Sequence, residues 1–459
     1  MKRFSKEIRE LLAILLFNLA FVHLQSAWFD NLPCQIRQPD GTVVNVLQSG
    51  DEFHNWVHDV NGYTMIKDQF TGYWCWALLG NGDLISSGYP IHQQNAQSRG
   101  LSPGINISAE KYQEKRKYTE DSPQVEKFTK GTLNNLVIFI SFDDVRFSKL
   151  RADLLYQDFN DKTTPNKVNV NSKYQYFIDA SYGQLSIISH FYPPPAETIM
   201  SYQSSNSKGW YLPYDAEKNI GYTNAADGNE RQDSLLIDAI NHVSSLIPSH
   251  LDIDINNDGF VDHITFIIAG YPAEYGTTMW SHHSTLNNKT DLLINNKKVG
   301  SYDMIIESQY TVTKVGLLVH EFGHALGAPD LYSYPNTERY PIDRWDVMAH
   351  QTNPPQSMSA YTKWKYMKWV DNIPLITESG KYTLNPITVN KSNHAYRINS
   401  PYTDLEYFIV EYRSNKTGQT DSMLSGSGLI IYRIDINKIG NTFGHLTKFM
   451  RTDKMDRLM

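Results

Sequence analysis

Cysteine is scarce in this chain of 459 residues, which contains only Cys34 and Cys75. Two cysteines are too few for a disulfide-framed scaffold, although the pair can form one bridge outside the cell or remain as buried thiols. An excess of positive charge is also missing, because the formal net charge is −7 and no run of Lys and Arg forms a basic patch. The composition therefore argues against a protein that binds DNA or RNA.

The chain also lacks an apolar run of the roughly 20 residues that a membrane-spanning helix needs. Its most apolar stretch, Leu11–Leu24, is shorter than that, follows a basic beginning and precedes the small residues Ser26 and Ala27. This arrangement predicts a signal peptide at residues 1–27 and a secreted or cell-surface protein without a stable membrane span once the signal is removed. A retained N-terminal anchor is the alternative.

The most informative segment is His320–Asp330, which reads H-E-F-G-H-A-L-G-A-P-D. Apolar residues recur at helical spacing before and within it, so we expect a helix packed on the core. His320 and His324 are one helical turn apart and can offer two imidazole nitrogens to one Zn²⁺. Glu321 falls beside the metal, where it can act as a base.

Beyond this helix we expect the chain to turn. Gly327 permits left-handed backbone, and Pro329 resists any return to helix. The turn would bring Asp330 to the metal as a third ligand and leave the fourth position to water. The alternative is a core helix whose two histidines are satisfied by hydrogen bonds alone, but five residue types at these offsets argue against it.

A methionine supports the same interpretation. Met348 lies 18 positions after Asp330 in the segment R-W-D-V-M-A, much as the Met-turn follows the zinc helix in metzincin peptidases. Its thioether would form an apolar floor beneath the ligands. Taken alone, such a methionine is more often ordinary core.

These features resemble the immune-inhibitor-A family of secreted bacterial metalloproteases. The likeness runs from about residue 30 to about residue 441, and the segments that carry it are Asn135–Phe142, Tyr176–Leu185, Met279–His282, His320–Tyr332, R-W-D-V-M and Pro355–Val370. The resemblance implies a zinc endopeptidase in which His320, His324 and Asp330 bind the metal. It also implies that Glu321 is the catalytic acid/base.

Such a site hydrolyses peptide bonds with water. Zn²⁺ lowers the pKa of a bound water from 15.7 towards about 7, and Glu321 can accept the proton as the water attacks the carbonyl. The same carboxylate can then hand the proton to the departing amine. An assisting group remains open among Tyr332, Tyr340, His350 and His282, for each of which an ordinary structural role is the simpler interpretation.

An acidic stretch upstream of the motif suits a second ion. Oxygen-bearing side chains alternate at Asp254, Asn256 and Asp258, and the carbonyl of Phe260 and the carboxylate of Asp262 continue the series. This pattern fits Ca²⁺ but lacks the bidentate Glu of a complete EF-hand loop. The alternative is an Asx-rich turn that is held by its own hydrogen bonds.

Length and composition divide the chain into several units. We expect a propeptide-like β module at 28–104, an exposed linker at 105–130, a catalytic domain at 131–376 and a β-rich C-terminal domain at 377–459. The expected fold class is α+β, with a metzincin-like catalytic domain. Residues 443–459 depart from the family pattern, so the completeness of the last domain is open.

The hydrophobic pattern also predicts individual elements. It indicates a helix near 234–246 and strands near 42–47, 62–66, 72–77, 136–142, 263–269, 382–384, 395–398, 407–412 and 428–434. The propeptide-like module carries Cys34, whose thiolate would be a good zinc ligand. Cys34 is therefore a candidate latency switch, alongside the disulfide and buried-thiol interpretations, and cleavage in the linker would activate the enzyme.

Taken together, the sequence predicts a secreted zinc-dependent endopeptidase, made as a zymogen, that acts on proteins or peptides with Zn²⁺ and, at the acidic stretch, Ca²⁺. The alternative is a catalytically silent surface or adhesion protein on a metalloprotease scaffold. Glu321 argues against that alternative, because binding alone has no use for a base beside the metal. The oligomeric state is not indicated.

Overall fold

The structure is a computed structural model. It describes a first part at residues 28–51, 53–68, 70–108, 110–112 and 128–148, a second at 150–273, 278–286, 292–332 and 342–436, and the backbone of residues 449–450. The predicted signal peptide and Tyr340 lie outside these residues. Among the described helices, none is both long and apolar enough to cross a membrane.

The N-terminal part is one antiparallel sheet of six strands in chain order. The strands are β1 (Phe29–Arg37), β2 (Val43–Gly50), β3 (Asn55–His58), β4 (Thr64–Lys67), β5 (Trp74–Gly80) and β6 (Asp83–Pro90). Tight turns join them, as at Asn61-Gly62, where the glycine has a φ of +81°. The sequence did not indicate β1, because its alternation is interrupted by polar residues and by Pro33, which an edge strand tolerates.

The central sheet is mostly parallel, with the strand order β11-β14-β10-β7-β8 and the short β9 beside β7. Its strands are β7 (Gly131–Ser141), β8 (Leu185–Tyr192), β9 (Tyr202–Gln203), β10 (His263–Ile268), β11 (His282–Thr285) and β14 (Ser301–Ile306). A two-stranded ribbon, β12 (Leu293–Ile294) with β13 (Lys297–Lys298), lies outside it. The strands predicted near 136–142 and 263–269 are therefore present, with bounds shifted by a few residues.

Helices cover both faces of this sheet. They are α1 (Ala152–Asn160), α2 (Lys173–Ala180), α3 (Ala225–Val243), α4 (Glu307–Thr313), α5 (Val315–Ala325) and α6 (Ala360–Lys365). Alternate residues of β7 face opposite ways, so Ile138 packs in one core with α3 and Phe139 packs in another with α1 and α5. Short 3₁₀ turns lie at Gln97–Arg99, Lys208–Tyr211, Ser244–Leu246 and Asp343–Trp345.

The C-terminal part is an antiparallel sheet with the strands β15 (Ala395–Asn399), β16 (Glu406–Arg413), β17 (Gly428–Asp435) and β18 (Phe449–Met450). The strand predicted at 382–384 is wrong. Tyr382 is outside any ladder, donates its hydroxyl to the Glu378 carbonyl at 2.7 Å and packs its ring on Tyr396. The mixed helix and strand content is as expected, whereas the metzincin likeness and the domain boundaries stay predictions.

Candidate metal centre

The H-E-F-G-H residues lie on α5, a helix with almost no exposed surface. Every residue from Val315 to His324 is buried, because the helix packs between the central sheet and the loop that follows it. The helix ends at Ala325, and Gly327 adopts a φ of +97°, as the predicted turn requires. The chain then returns past the helix, which places Asp330 beside the two histidines.

The side chains of His320, His324 and Asp330 converge on one point, and we call these three residues the convergent group. The two Nε2 atoms are 3.1 Å apart. Oδ1 of Asp330 lies 3.2 Å from Nε2 of His320 and 3.3 Å from Nε2 of His324. Three nitrogen and oxygen atoms at such spacing are arranged as the corners of a tetrahedral zinc site, in which each ligand lies about 2.0–2.2 Å from the ion.

The other ring nitrogens of the convergent group face backbone carbonyls. Nδ1 of His320 lies 2.8 Å from the Val347 carbonyl and 3.0 Å from Nε2 of Gln351, and Nδ1 of His324 lies 2.8 Å from the Ala328 carbonyl. A carbonyl only accepts hydrogen bonds, so both carbonyls suit a ring that carries its proton on Nδ1. In that tautomer the two Nε2 atoms and the carboxylate would face one another as acceptors, an arrangement that a bound cation makes favourable.

The Asp330 carboxyl is also suited to a positively charged partner. Burial opposes ionisation of its carboxyl, but His324 and His320 outweigh burial and hold its pKa well below the usual value. A permanently ionised carboxylate in a buried pocket needs a cationic partner. The donor set of two imidazoles and one carboxylate fits Zn²⁺, which accepts both nitrogen and oxygen ligands.

Met348 lies against the motif, and its role as a floor beneath metal ligands stays a prediction. A β-carbon added at Gly323, between the two histidines, would sit 2.5 Å from the Met348 sulfur, so only glycine permits this contact. The backbone nitrogen of Leu331 donates to the Met348 carbonyl at 2.9 Å. The turn around Met348 therefore touches both α5 and the segment that carries Asp330.

Glu321 sits next to His320 on α5 and is wholly buried. Among the assisting groups considered from the sequence, Tyr332 is also buried and packs its ring 5.8 Å from that of Trp28. His350 is half-buried, and burial lowers its pKa, with Arg344 adding to the effect. His282 instead faces the opposite side of the sheet, where Nδ1 lies 2.7 Å from the Trp280 carbonyl and the ring meets Tyr302.

The segment that carries this geometry matches a known protein family. Residues 135–362 match the immune inhibitor A peptidase M6 catalytic domain. The chain belongs to the immune inhibitor A peptidase family. It is 30% identical over 183 residues to immune inhibitor A of Bacillus thuringiensis subsp. alesti, which is 32% of this chain and 26% of that protein.

A second relative is the pre-pro-metalloprotease PrtV of Vibrio cholerae serotype O1 (strain M66-2). It is 28% identical over 271 residues, which is 49% of this chain and 27% of that protein. The matched region therefore spans about a quarter of the length of each of these two relatives. The matched family segment contains all three residues of the convergent group, together with Glu321 and Met348.

The segment that matches the family also contains a second set of potential metal ligands, His263, His283 and Asp303, which we call the bonded group. All three are buried on adjacent strands. Nε2 of His263 lies 2.9 Å from one oxygen of Asp303, and Nδ1 of His283 lies 2.9 Å from the other. The Ser301 hydroxyl lies 3.3 Å and 3.5 Å from the remaining ring nitrogens. Sequence reasoning missed this group, because its members come together only through strand register.

Contact geometry separates the bonded group from the convergent group. A carboxylate only accepts, so Nδ1 of His283 donates to one oxygen of Asp303, while Nε2 of His263 lies at ion-pair distance from the other oxygen. Burial would raise the pKa of Asp303, but His263 and His283 outweigh it and hold that pKa well below its usual value. Each oxygen of Asp303 already has a histidine partner, so an ion would have to displace existing contacts.

The acidic stretch considered for Ca²⁺ is held by internal contacts. Asp254 accepts from the backbone of Asp258 at 2.9 Å and of Gly259 at 3.0 Å, and it pairs with Lys297 at 2.6 Å. Asp262 accepts from the backbone of Ile255 and Asn134. These contacts favour the self-contained turn.

The two remaining members of that stretch belong to the same turn. Asn256 donates to Asp258 at 2.8 Å, and the backbone nitrogen of Phe260 donates to Asp258 at 2.8 Å. Calcium binding therefore stays a prediction that competes with these hydrogen bonds.

The N-terminal part of the chain packs aromatic residues beside the candidate metal centre. Trp28, Phe53 and Tyr112 form one buried cluster with Tyr332, two residues beyond Asp330. The side chain of Asp51 is wholly buried and accepts from the Tyr112 hydroxyl. Burial raises the pKa of Asp51 to about 6, and the charge of Asp330 adds to the rise.

Cys34 lies elsewhere in this sheet. It is on β1 opposite Val46 and packs with the sheet's own apolar core. Cys34 and Cys75 are not joined by a disulfide, and Cys34 is not among the donors gathered with His320. Its role as a latency switch stays a prediction.

Proposed function

We propose that this chain is a zinc-dependent endopeptidase that hydrolyses peptide bonds of proteins. In this proposal His320, His324 and Asp330 bind Zn²⁺, and Glu321 is the general acid/base. The observation that carries it is the convergence of two imidazole nitrogens and one carboxylate oxygen at 3.1–3.3 Å. Membership of a peptidase family supports the same conclusion.

Zinc, when bound, would supply a Lewis acid that lowers the pKa of water and polarises the substrate carbonyl. The chain's own residues do the rest of the work. Glu321 follows a ligand directly in sequence, so its carboxylate can take a proton from the attacking water and return it to the departing amine. The carbonyls of Val347 and Ala328 hold the two rings in the tautomer that directs Nε2 to the metal.

The N-terminal sheet supports the proposal that the chain is a zymogen. The exposed fractions of His320, Glu321, His324 and Asp330 are 0%, 0%, 2% and 1%, so the part of the chain that the structure describes leaves almost none of their surface open to a polypeptide substrate. Trp28, Phe53 and Tyr112 cover the adjoining Tyr332. We therefore expect activation to require removal of the N-terminal sheet after cleavage in the linker at 105–130.

Secretion belongs to the same proposal. The predicted signal peptide at 1–27 would deliver the protein to the outside of the cell. Its substrates would then be extracellular proteins or peptides, without nucleic acid or a stable membrane span.

Hydrolysis of casein tests the proposal. The purified chain is cleaved by limited proteolysis in the linker, separated from its N-terminal sheet and assayed before and after treatment with a zinc chelator. We expect activity to appear on cleavage, to disappear with the chelator and to return with added Zn²⁺. Activity that survives complete removal of the metal, or a cleaved protein that is inactive with Zn²⁺ bound, would contradict the proposal.

A further inference from the structure

A buried arginine connects the C-terminal sheet to the metal centre. Arg413 ends β16, and its side chain is wholly buried. A buried guanidinium is costly unless its donors are paired. The pairing of Arg413 is therefore a feature that the fold maintains.

Two carboxylates of the C-terminal part hold this guanidinium. Asp421 accepts from Nε at 2.8 Å and also from Nη2, while Glu411 accepts from Nη1 at 3.2 Å. The parallel contacts with Asp421 fix the plane of the guanidinium. Its remaining donor directions point towards the catalytic segment.

Arg413 directs those donors to two backbone carbonyls near the metal ligands. Nη1 donates to the Trp345 carbonyl, and Nη2 donates to the Ser357 carbonyl at 3.2 Å. Asp421 accepts from the backbone nitrogen of Ser357 at 2.8 Å. The C-terminal sheet thus holds both ends of the segment from residue 345 to residue 357.

This segment carries the outer support of the convergent group. Asp346 accepts from the backbone nitrogen of Met348 at 2.9 Å and from that of Ser359 at 2.8 Å, which closes the turn around Val347. The Val347 carbonyl lies 2.8 Å from Nδ1 of His320. Arg413 therefore binds the Trp345 carbonyl, which is only two residues from the Val347 carbonyl that faces His320.

Partners that orient a metal-binding histidine typically change metal affinity about 10- to 100-fold when they are lost. We infer that Arg413 is a positioning residue for the metal centre, which holds the turn carrying Val347 and Met348 so that His320 directs Nε2 to the ion. This inference rests on the proposed zinc site. It implies that the C-terminal sheet helps to hold the metal ligands in place.

Zinc affinity of the full chain tests the inference. Arg413→Met is compared with wild type and with Arg433→Met, a control on neighbouring β17 whose side chain is 36% exposed and pairs only loosely with Glu406, at 3.4 Å. We expect Arg413→Met to bind Zn²⁺ about 10-fold more weakly in competition with a chromophoric chelator. We expect Arg433→Met to stay within about twofold of wild type.

The melting temperature separates positioning from simple support of the fold. A positioning role makes the gain in melting temperature on adding Zn²⁺ smaller in Arg413→Met than in wild type. A merely structural role lowers the melting temperatures of the metal-free and zinc-loaded forms equally and leaves zinc affinity unchanged, which would overturn the inference.

Arg413→Lys covers the case in which the methionine variant does not fold. Lysine keeps the charge beside Asp421 but cannot form parallel contacts and also reach Trp345. We expect weakened zinc binding in this variant as well, and wild-type affinity would overturn the inference. If both variants fail to fold while Arg433→Met folds, Arg413 is a folding residue and the inference is wrong. Absence of zinc binding in wild type would instead contradict the proposed function.

Discussion

The convergent group and the bonded group have the same composition, two histidines and one aspartate, and lie close together. The rings of His283 and His324, one from each group, have centroids 6.4 Å apart. In the convergent group Nδ1 of each ring faces a backbone carbonyl, and both Nε2 atoms lie against the same oxygen of Asp330. In the bonded group each ring faces a different oxygen of Asp303.

This difference shows that residue types alone do not define a metal site. The backbone carbonyls of Val347 and Ala328 lie behind the two rings of the convergent group. Asp303 lies between the two rings of the bonded group and has one of them at each oxygen. The atoms behind each histidine therefore decide whether the side chain is ready for a cation or already satisfied.

The largest effect is expected from Glu321, which lies beside the convergent group and, among the described residues, has no counterpart beside the bonded group. Glu321→Gln removes the base without removing a ligand, so we expect peptide hydrolysis by the activated protein to fall about 10²- to 10⁴-fold with zinc content unchanged. Glu197→Gln, at an exposed glutamate, is the matched control. Full activity in Glu321→Gln would show that another group handles the proton.

Equivalent substitutions in the two groups should separate them by metal content. His320→Ala removes a proposed ligand, so we expect zinc affinity to fall by more than the roughly 100-fold that outer partners cost at most. His283→Ala should bind zinc with an affinity close to that of wild type. Chelator competition measures both, and a comparable loss in the two variants would remove the distinction between the groups.

Substitutions in the bonded group should change the free energy of unfolding rather than the metal content. Asp303→Asn leaves two buried imidazoles without their carboxylate, so we expect the free energy of unfolding at pH 7 to fall by about 3–5 kcal/mol. The folded-state pKa of Asp303 is depressed. Its contribution is therefore present above the ordinary aspartate pKa of 3.8 and is lost as the pH falls below that value. Denaturant unfolding at several pH values should show the difference from wild type narrowing only in acid.

A smaller effect is expected at Lys173, a buried residue of α2 near the bonded group. Its Nζ lies 3.8 Å from the ring centroid of Phe322, and burial lowers the lysine pKa from 10.5 to about 7. The unfolded chain thus binds more protons than the folded chain between pH 7 and pH 10.5, so stability should rise with pH in that window. Below it both states are protonated and the slope vanishes.

Lys173→Met should remove this slope and raise the free energy of unfolding at pH 7 by about 1–2 kcal/mol. Lys218→Met, at an exposed lysine, should leave the slope in place. Melting temperatures from about pH 7 to about pH 10 provide the measurement. If stability still rises with pH in Lys173→Met, another titrating group causes the slope.

The smallest effect is expected from calcium. The Asp254 carboxylate already has Lys297 and two backbone donors, so about 1 mM Ca²⁺ should raise the melting temperature by less than about 1 °C. A rise of several degrees that Asp254→Asn abolishes would establish the calcium site and show that the ion displaces Lys297.

The convergent group could be predicted from sequence because its geometry is local. Helical periodicity sets His320 and His324 one turn apart, and Gly327 marks the bend before Asp330. The bonded group depends on the register of β10, β11 and β14, which a single sequence does not reveal. The roles of the supporting carbonyls and of Arg413 could not be predicted either. A backbone atom has no sequence signal, and Arg413 is 93 positions from His320.

Anomalous X-ray diffraction above the zinc absorption edge, on crystals of the full chain saturated with Zn²⁺, tests the central claim most directly. We predict one peak, about 2.0–2.2 Å from Nε2 of His320, Nε2 of His324 and an oxygen of Asp330. A peak between His263, His283 and Asp303, or no peak at the convergent group, would contradict the account.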